Sequence, residues 1–285
     1  MWFWNKKYTI AASGILQGAV DHHSHILPGV DDGVETIDEA LRILTAYEAL
    51  GIKELWLTPH IMEDIPNSAE KLATRFEELK ASYSGNIQLH LAAEYMIDNH
   101  LRKLLNAREG DKTNKLRHSQ CEGRWHEQSE VTEGSKTKNN CPSCVRGASE
   151  AEGDKILLPI GTTGKHILVE TSYYNSPMRM DDTLQQIKSL GYFPLLAHPE
   201  RYMYLDNADY TKLHSQGVRF QLNLASLAGG YGKAVKKTAE WLLSNGLYSV
   251  VGSDLYCEDA IEFITNCKLS KQAIEQVNQL LHNGI

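Results

Sequence analysis

The chain has 285 residues, 42% of them hydrophobic and 23% charged, the ordinary balance of a globular protein able to bury a full-sized core. Its formal net charge of −7 supplies no broad cationic field for nucleic acid or an anionic membrane, so any phosphate chemistry must rest on local charges. A single domain over residues 1–285 is expected.

The first segment, "MWFWNKKYTIAASGILQGAV", places aromatics before lysines and breaks its apolar stretch with Ser13, Gly14 and Gln17, unlike the basic-then-apolar order of a signal peptide. No run approaches the ~18 apolar residues that span a bilayer. A cytoplasmic chain without membrane insertion is expected. The cysteines number five, an odd count, and three are packed between Cys121 and Cys144, which points to reduced thiols rather than a disulfide framework.

Short β-rich apolar runs then recur, each followed by a helix-like segment, the pattern of βα units around a parallel sheet or barrel. Candidate strands are Ala19–His23, Lys53–Thr58, Ile87–Ala93, His166–Thr171, Phe193–His198, Val218–Asn223 and Leu247–Ser253. The best-defined helix, "TIDEALRILTAYEALG", opens with Thr36 and Glu39 in capping-box spacing and stops at Gly51. Gly191 and Gly246 end later helical segments in the same way. A closed or nearly closed (β/α) barrel is predicted, with an open doubly wound sheet as the alternative.

Between the third and fourth strands the pattern fails. Residues 112–154 are polar, poor in branched aliphatics and aperiodic, and are expected to form a disordered insertion. "EGDK" occurs at Glu109–Lys112 and again at Glu152–Lys155; removing one copy and everything between leaves an ordinary loop. The insertion carries His118, Cys121, Cys141 and Cys144, spaced as in one form of zinc site, although such a small module normally has some core of its own.

The remaining histidines and acids cluster at strand ends. In chain order they are "DHHSH", "LTPH" ending at His60, "LAAE" ending at Glu94, "LVETS" with Glu170, "LLAHPER" with His198 and Arg201, and "VGSD" with Asp254. In a βα barrel the carboxyl ends of the strands form one rim, where ligands gather. Residues two apart on an extended segment share a direction, so Asp21, His23 and His25 should point together, with His22 packed or solvated elsewhere. H-x-H then makes a two-imidazole metal grip. Glu94 or Glu170 could bridge two cations, and this mixed donor set suits Mn, Fe or Zn rather than Ca.

The succession H-x-H, "DDG", "TPH", "AAE", "VE", "AHPERY" and "SD" resembles the polymerase and histidinol phosphatase (PHP) superfamily, above all its bacterial protein-tyrosine phosphatases of capsule and exopolysaccharide synthesis. The resemblance implies a distorted (β/α)7 barrel with a trinuclear metal centre. It also implies a phosphotyrosyl protein substrate, commonly the tail of a bacterial tyrosine kinase. Position by position, His23, His25, Asp32, His60, Glu94, Glu170, His198 and Asp254 match the metal ligands, and Arg201 the phosphate-binding arginine. Arg201 and Asp254 are the residues expected to act in catalysis, with two to three ions, Mn2+ or else Fe or Zn. One position departs: the family pattern D-x-H reads Asp254, Leu255, Tyr256 here. A phenol is largely protonated until about pH 10, so one ion is expected to be lost or loosely held.

The chemistry implied is metal-assisted phosphomonoester hydrolysis, in which cations lower the pKa of water and clamp phosphoryl oxygens while Arg201 offers parallel donors to the rest. No cysteine lies in a C-x5-R phosphate loop, which separates this expectation from cysteine-dependent phosphatases. Two alternatives stand beside it. One is a small substrate such as histidinol phosphate, because specificity lies in loops such as Thr171–Met180; the other is a catalytically impaired binding module.

Overall fold

The computed structural model describes residues 6–110 and 156–285. The expected insertion over 112–154 and its candidate zinc ligands His118, Cys121, Cys141 and Cys144 lie outside the described residues.

The chain opens with β1 (Lys7–Thr9), α1 (Ile10–Ser13) and β2 (Val20–Ser24), followed by α2 (Ile37–Leu50) and β3 (Glu54–Leu57). Next come β4 (His60–Ile61), α3 (Ala69–Ser82), β5 (Gln88–Leu91) and β6 (Glu94–Met96), then a helix α4 through residues 99–110. The later part holds β7 (His166–Glu170), α5 (Met180–Ser189), β8 (Phe193–Ala197), a 3-10 turn (Pro199–Arg201), α6 (Asn207–Ser215), β9 (Arg219–Asn223) and α7 (Leu224–Ala228). It closes with α8 (Gly232–Ser244), β10 (Val250–Gly252), α9 (Asp259–Thr265), β11 (Lys268–Ser270) and α10 (Lys271–Leu281).

Each expected strand segment overlaps an observed strand, shorter by a residue or more at most ends, although β2 runs one residue past the expected end at His23. Two parallel sheets result, one ordered β10-β9-β8-β7-β6-β4 and the other β2-β3-β5. The chain runs from β3 into β4 and from β5 into β6 within a few residues, with Glu94 N donating to Pro59 O at 3.1 Å beside the break. At the far side β2 meets the end of β10, where Asp254 N donates to His23 O at 2.8 Å and His25 N to Leu255 O at 2.9 Å. The parallel sheet therefore curls toward closure, in a mixed α/β fold. β1 and β11 form a separate antiparallel pair.

Side-chain alternation divides the core. On β7, Ile167 and Val169 join the large cluster beneath the helices, whereas Leu168 packs on the inner face with Trp56, Leu195, Ala197 and Val250. Continuing that period of two turns Glu170 inward at the carboxyl end of β7. Helix α2 starts where its cap spacing places it: the Thr36 side chain accepts from Glu39 N, and Gly51 closes the helix at φ 86°. The reciprocal half of the box differs, because Glu39 Oε2 accepts from Glu35 N instead.

Candidate metal centre

Strand ends deliver the polar residues to one buried point. His23 and His25 leave β2, His60 and Glu94 begin β4 and β6, Glu170 ends β7, His198 follows β8 and Asp254 follows β10. Among the described residues, four trios each bring one donor atom per side chain within 4.8 Å of the others: His23–Glu94–His198, His23–His25–Asp254, His25–Asp32–His60 and His60–Glu94–Glu170. Each of the eight ligand positions that the resemblance implies belongs to at least one trio. All are buried except Asp32, whose side chain is 66% exposed and lies 3.5 Å from His60 Nε2.

The donor atoms face inward. His23 Nε2 lies 3.1 Å from His25 Nε2, 3.2 Å from Glu94 Oε2 and 3.5 Å from Asp254 Oδ1. His60 Nδ1 is 3.2 Å from Glu94 Oε2 and 3.1 Å from Glu170 Oε1, and His198 Nε2 is 3.1 Å from Glu94 Oε1. Glu94 Oε2, Glu170 Oε1, Asp254 Oδ1 and His60 Nδ1 are nonetheless buried without a hydrogen-bond partner, an expensive arrangement unless something charged satisfies them. Burial alone would raise the Glu94 carboxyl, but the facing His23 and His25 imidazoles and the hydrogen bond with His198 hold it well below the usual carboxylate range. Burial likewise opposes the His60 imidazolium, yet Glu170 and Glu94 push it up to about 10. The cluster thus draws positive charge to itself. Converging imidazole and carboxylate lone pairs with unsatisfied oxygens fit borderline divalent cations.

Neighbouring groups orient these donors. His23 Nδ1 pairs with Gln221 Oε1 at 2.9 Å, and the same oxygen accepts from His198 N at 3.2 Å. His25 Nδ1 pairs with Asp31 Oδ2 at 2.9 Å, which also accepts from His60 N at 3.1 Å. Such partners set the tautomer and aim of a ligand. Asp31 and Gln221 are not among the functional residues expected from the sequence. Gln221 and Asn223 did carry a signal, as polar residues at alternate places in the apolar run "RFQLN".

Two glycines of the motifs answer to packing. A Cβ on Gly252 would stand 2.3 Å from His23 Cβ, and one on Gly33 2.1 Å from His25 O. Asp254 and His198 adopt positive φ, 53° and 33°, conformations uncommon for side-chain-bearing residues and frequent at functional sites.

Asp21 corrects an expectation. Its Oδ1 accepts from His23 N at 3.1 Å and Ser253 N at 2.9 Å, and its Oδ2 from the Tyr47 hydroxyl at 3.1 Å. It therefore pins β2 to its surroundings rather than sharing the direction of His23 and His25. A register shift between Asp21 and Ser24 interrupts the alternation on which that expectation stood. His22 is packed: burial lowers its imidazole to about 4.

Arg201 reaches the rim of the cluster. Its Nη1 donates to Asp254 Oδ2 at 2.9 Å, an oxygen that also accepts from Asn223 Nδ2 at 2.7 Å. The guanidinium lies over two phenol rings, 4.2 Å from the centroid of Tyr173 and 4.0 Å from that of Tyr231. Cation–π contact with two rings desolvates the guanidinium and orients it. Tyr256 stacks on His25 with centroids 4.2 Å apart, its hydroxyl 3.0 Å from His60 Nε2.

The family model for capsular polysaccharide synthesis, CpsB/CapC, matches residues 19–125 and 152–273; the chain belongs to that family. It is 24% identical over 275 residues to the putative tyrosine-protein phosphatase CapC of Staphylococcus aureus, covering 93% of this chain and 89% of that one. It is also 24% identical over 246 residues to the tyrosine-protein phosphatase YwqE of Bacillus subtilis, covering 83% and 77%. A solved structure from work on YwqE and Streptococcus pneumoniae CpsB, described there as unique metal-dependent tyrosine phosphatases, superposes with a TM-score of 0.64 at 19% identity. It covers 93% of this chain and 88% of that chain, and shows the fold to be shared.

Proposed function

We propose that this protein is a metal-dependent phosphatase that hydrolyses phosphotyrosine in a protein substrate. The carrying observation is the convergence of imidazole and carboxylate donors from separate strand ends on one buried cluster, bordered by an arginine in contact with the faces of two tyrosines. The names of the curated relatives, tyrosine-protein phosphatases matched over most of their length, support the substrate class. We read the fold as a distorted barrel of seven βα units, with β3 continued by β4 and β5 by β6. It would be one domain over 1–285, interrupted by 112–154.

In this reading His23, His25, Glu94 and Asp254 would hold one cation, and Glu94 and Glu170, with His60 and His198 beside Glu94, another. The sequence-based range of two to three ions, Mn2+ or else Fe or Zn, is retained. Bound there, the cations would supply Lewis acidity toward phosphoryl oxygens and toward water. The chain's own residues do the rest. Gln221 and Asp31 fix the aim of His23 and His25; Arg201 directs N–H donors at the phosphate; Tyr173 and Tyr231, whose ring faces meet the guanidinium, hold it in place. Their rings also line the approach with aromatic surface suited to a phenyl ester. The substrate would be a phosphotyrosyl segment of a bacterial tyrosine kinase in capsule or exopolysaccharide regulation, met in the cytoplasm.

Turnover of a phosphotyrosyl peptide and of histidinol phosphate by the manganese-loaded protein tests the proposal. A strong preference for the peptide is expected, and preference for histidinol phosphate rejects the substrate class.

A further inference from the structure

We infer that the centre is built for two cations and that Tyr256 fills the place where a third would sit. The inference rests on the proposed metal centre and specifies its content.

The lone pairs available set the number of ions. Three of the four trios draw on the inner cluster, while His25–Asp32–His60 lies toward Tyr256 and the exposed Asp32. A neutral imidazole offers one lone pair, and its other nitrogen carries a proton. His25 Nδ1 is engaged with Asp31 Oδ2 at 2.9 Å, where facing a carboxylate makes it the donor. Its lone pair is therefore on Nε2, which faces inward, 3.1 Å from His23 Nε2 and 3.4 Å from both Glu94 Oε2 and Asp254 Oδ1. His25 has nothing to give an outer cation.

His60 stands between the two regions. Its Nδ1 faces Glu94 and Glu170 and forms no hydrogen bond; its Nε2 is 3.0 Å from the Tyr256 hydroxyl. With the lone pair on Nδ1, His60 serves the inner cluster and Nε2–H donates to the phenol oxygen. With the lone pair on Nε2, the phenol O–H occupies it. In both tautomers the outer trio is reduced to Asp32, a single carboxylate 66% exposed to solvent, too few ligands for a retained ion. The Tyr256 ring, stacked on His25 with an interplanar angle of 15°, occupies the space as well. An imidazole at this position would bring a lone pair of its own and complete an outer set with Asp32 and His60 Nε2.

Equilibrium dialysis of the full chain against manganese, followed by metal analysis, tests the inference without reference to turnover. Expected contents are two ions per chain for wild type, two for Tyr256→Phe and three for Tyr256→His, with circular dichroism confirming that each variant folds. Three ions in wild type, or two in a folded Tyr256→His, overturns the inference while leaving the metal centre standing. Fewer than two ions in wild type overturns the metal centre and the inference together.

Discussion

Arg201 and Asp254 are joined through one oxygen of a carboxylate whose other oxygen belongs to the buried cluster: Oδ2 accepts from the guanidinium at 2.9 Å, while Oδ1 faces His23 and His25 at 3.5 and 3.4 Å. Asp254 thereby ties the guanidinium to the candidate metal centre. Replacing the guanidinium should damage substrate handling while leaving metal content intact. Arg201→Lys keeps the charge but loses the planar fork, and should lower kcat/KM by roughly 10²- to 10³-fold, the scale of losing one preorganised donor. Manganese content measured on the same sample should match wild type.

Tyr173 and Tyr231 act on Arg201 through their ring faces. Tyr173→Leu and Tyr231→Leu should each cost about 0.5–2 kcal/mol of transition-state binding, the range of a cation–π contact, or roughly 2- to 30-fold in kcat/KM. Phenylalanine at either position keeps the face and should restore most of the loss, which a steady-state comparison of the four variants would reveal.

Gln221 aims both His23 and His198 through one amide oxygen. Gln221→Leu removes the acceptor at similar bulk, and manganese affinity measured by calorimetric titration should weaken by about 10- to 100-fold, as is usual when the partner of a ligating histidine is lost.

Acid stability should report on His166, at the start of β7 and remote from the cluster. Burial, and then Arg219, hold its imidazole below the ordinary 6.5. A base with a depressed folded pKa contributes stability that is complete above its unfolded value and is lost as pH falls through the folded one. His166→Phe, with nothing to protonate there, should lose less stability than wild type between pH 7 and pH 5. Urea midpoints of the two chelated proteins at both pH values check the sign.

The strands were legible because apolar runs of strand length alternate with helical periodicity, and the candidate ligands because each breaks such a run at its carboxyl end. His60, Glu94, Glu170 and His198 are polar residues where a buried strand leads the eye to expect another aliphatic. What stayed hidden depends on tertiary contact. Nothing near Asp21 in sequence discloses the register shift that turns it toward Ser253 and Tyr47. Asp31 and Asp32 are alike until the fold places one under His25 and leaves the other in solvent. Tyr231, between α7 and α8, meets Arg201 only because both elements rise from the same rim. β1 and β11 are three residues each, with lysines in both, too short and polar for periodicity to register.

The most direct measurement of the central claim is anomalous scattering at the manganese edge from crystals of the manganese-loaded protein. Peaks are predicted among His23, His25, Glu94 and Asp254 and, beside them, at Glu94 and Glu170 where His60 and His198 flank Glu94. A protein that hydrolyses phosphotyrosyl peptide with no anomalous peak within reach of those side chains would contradict the account.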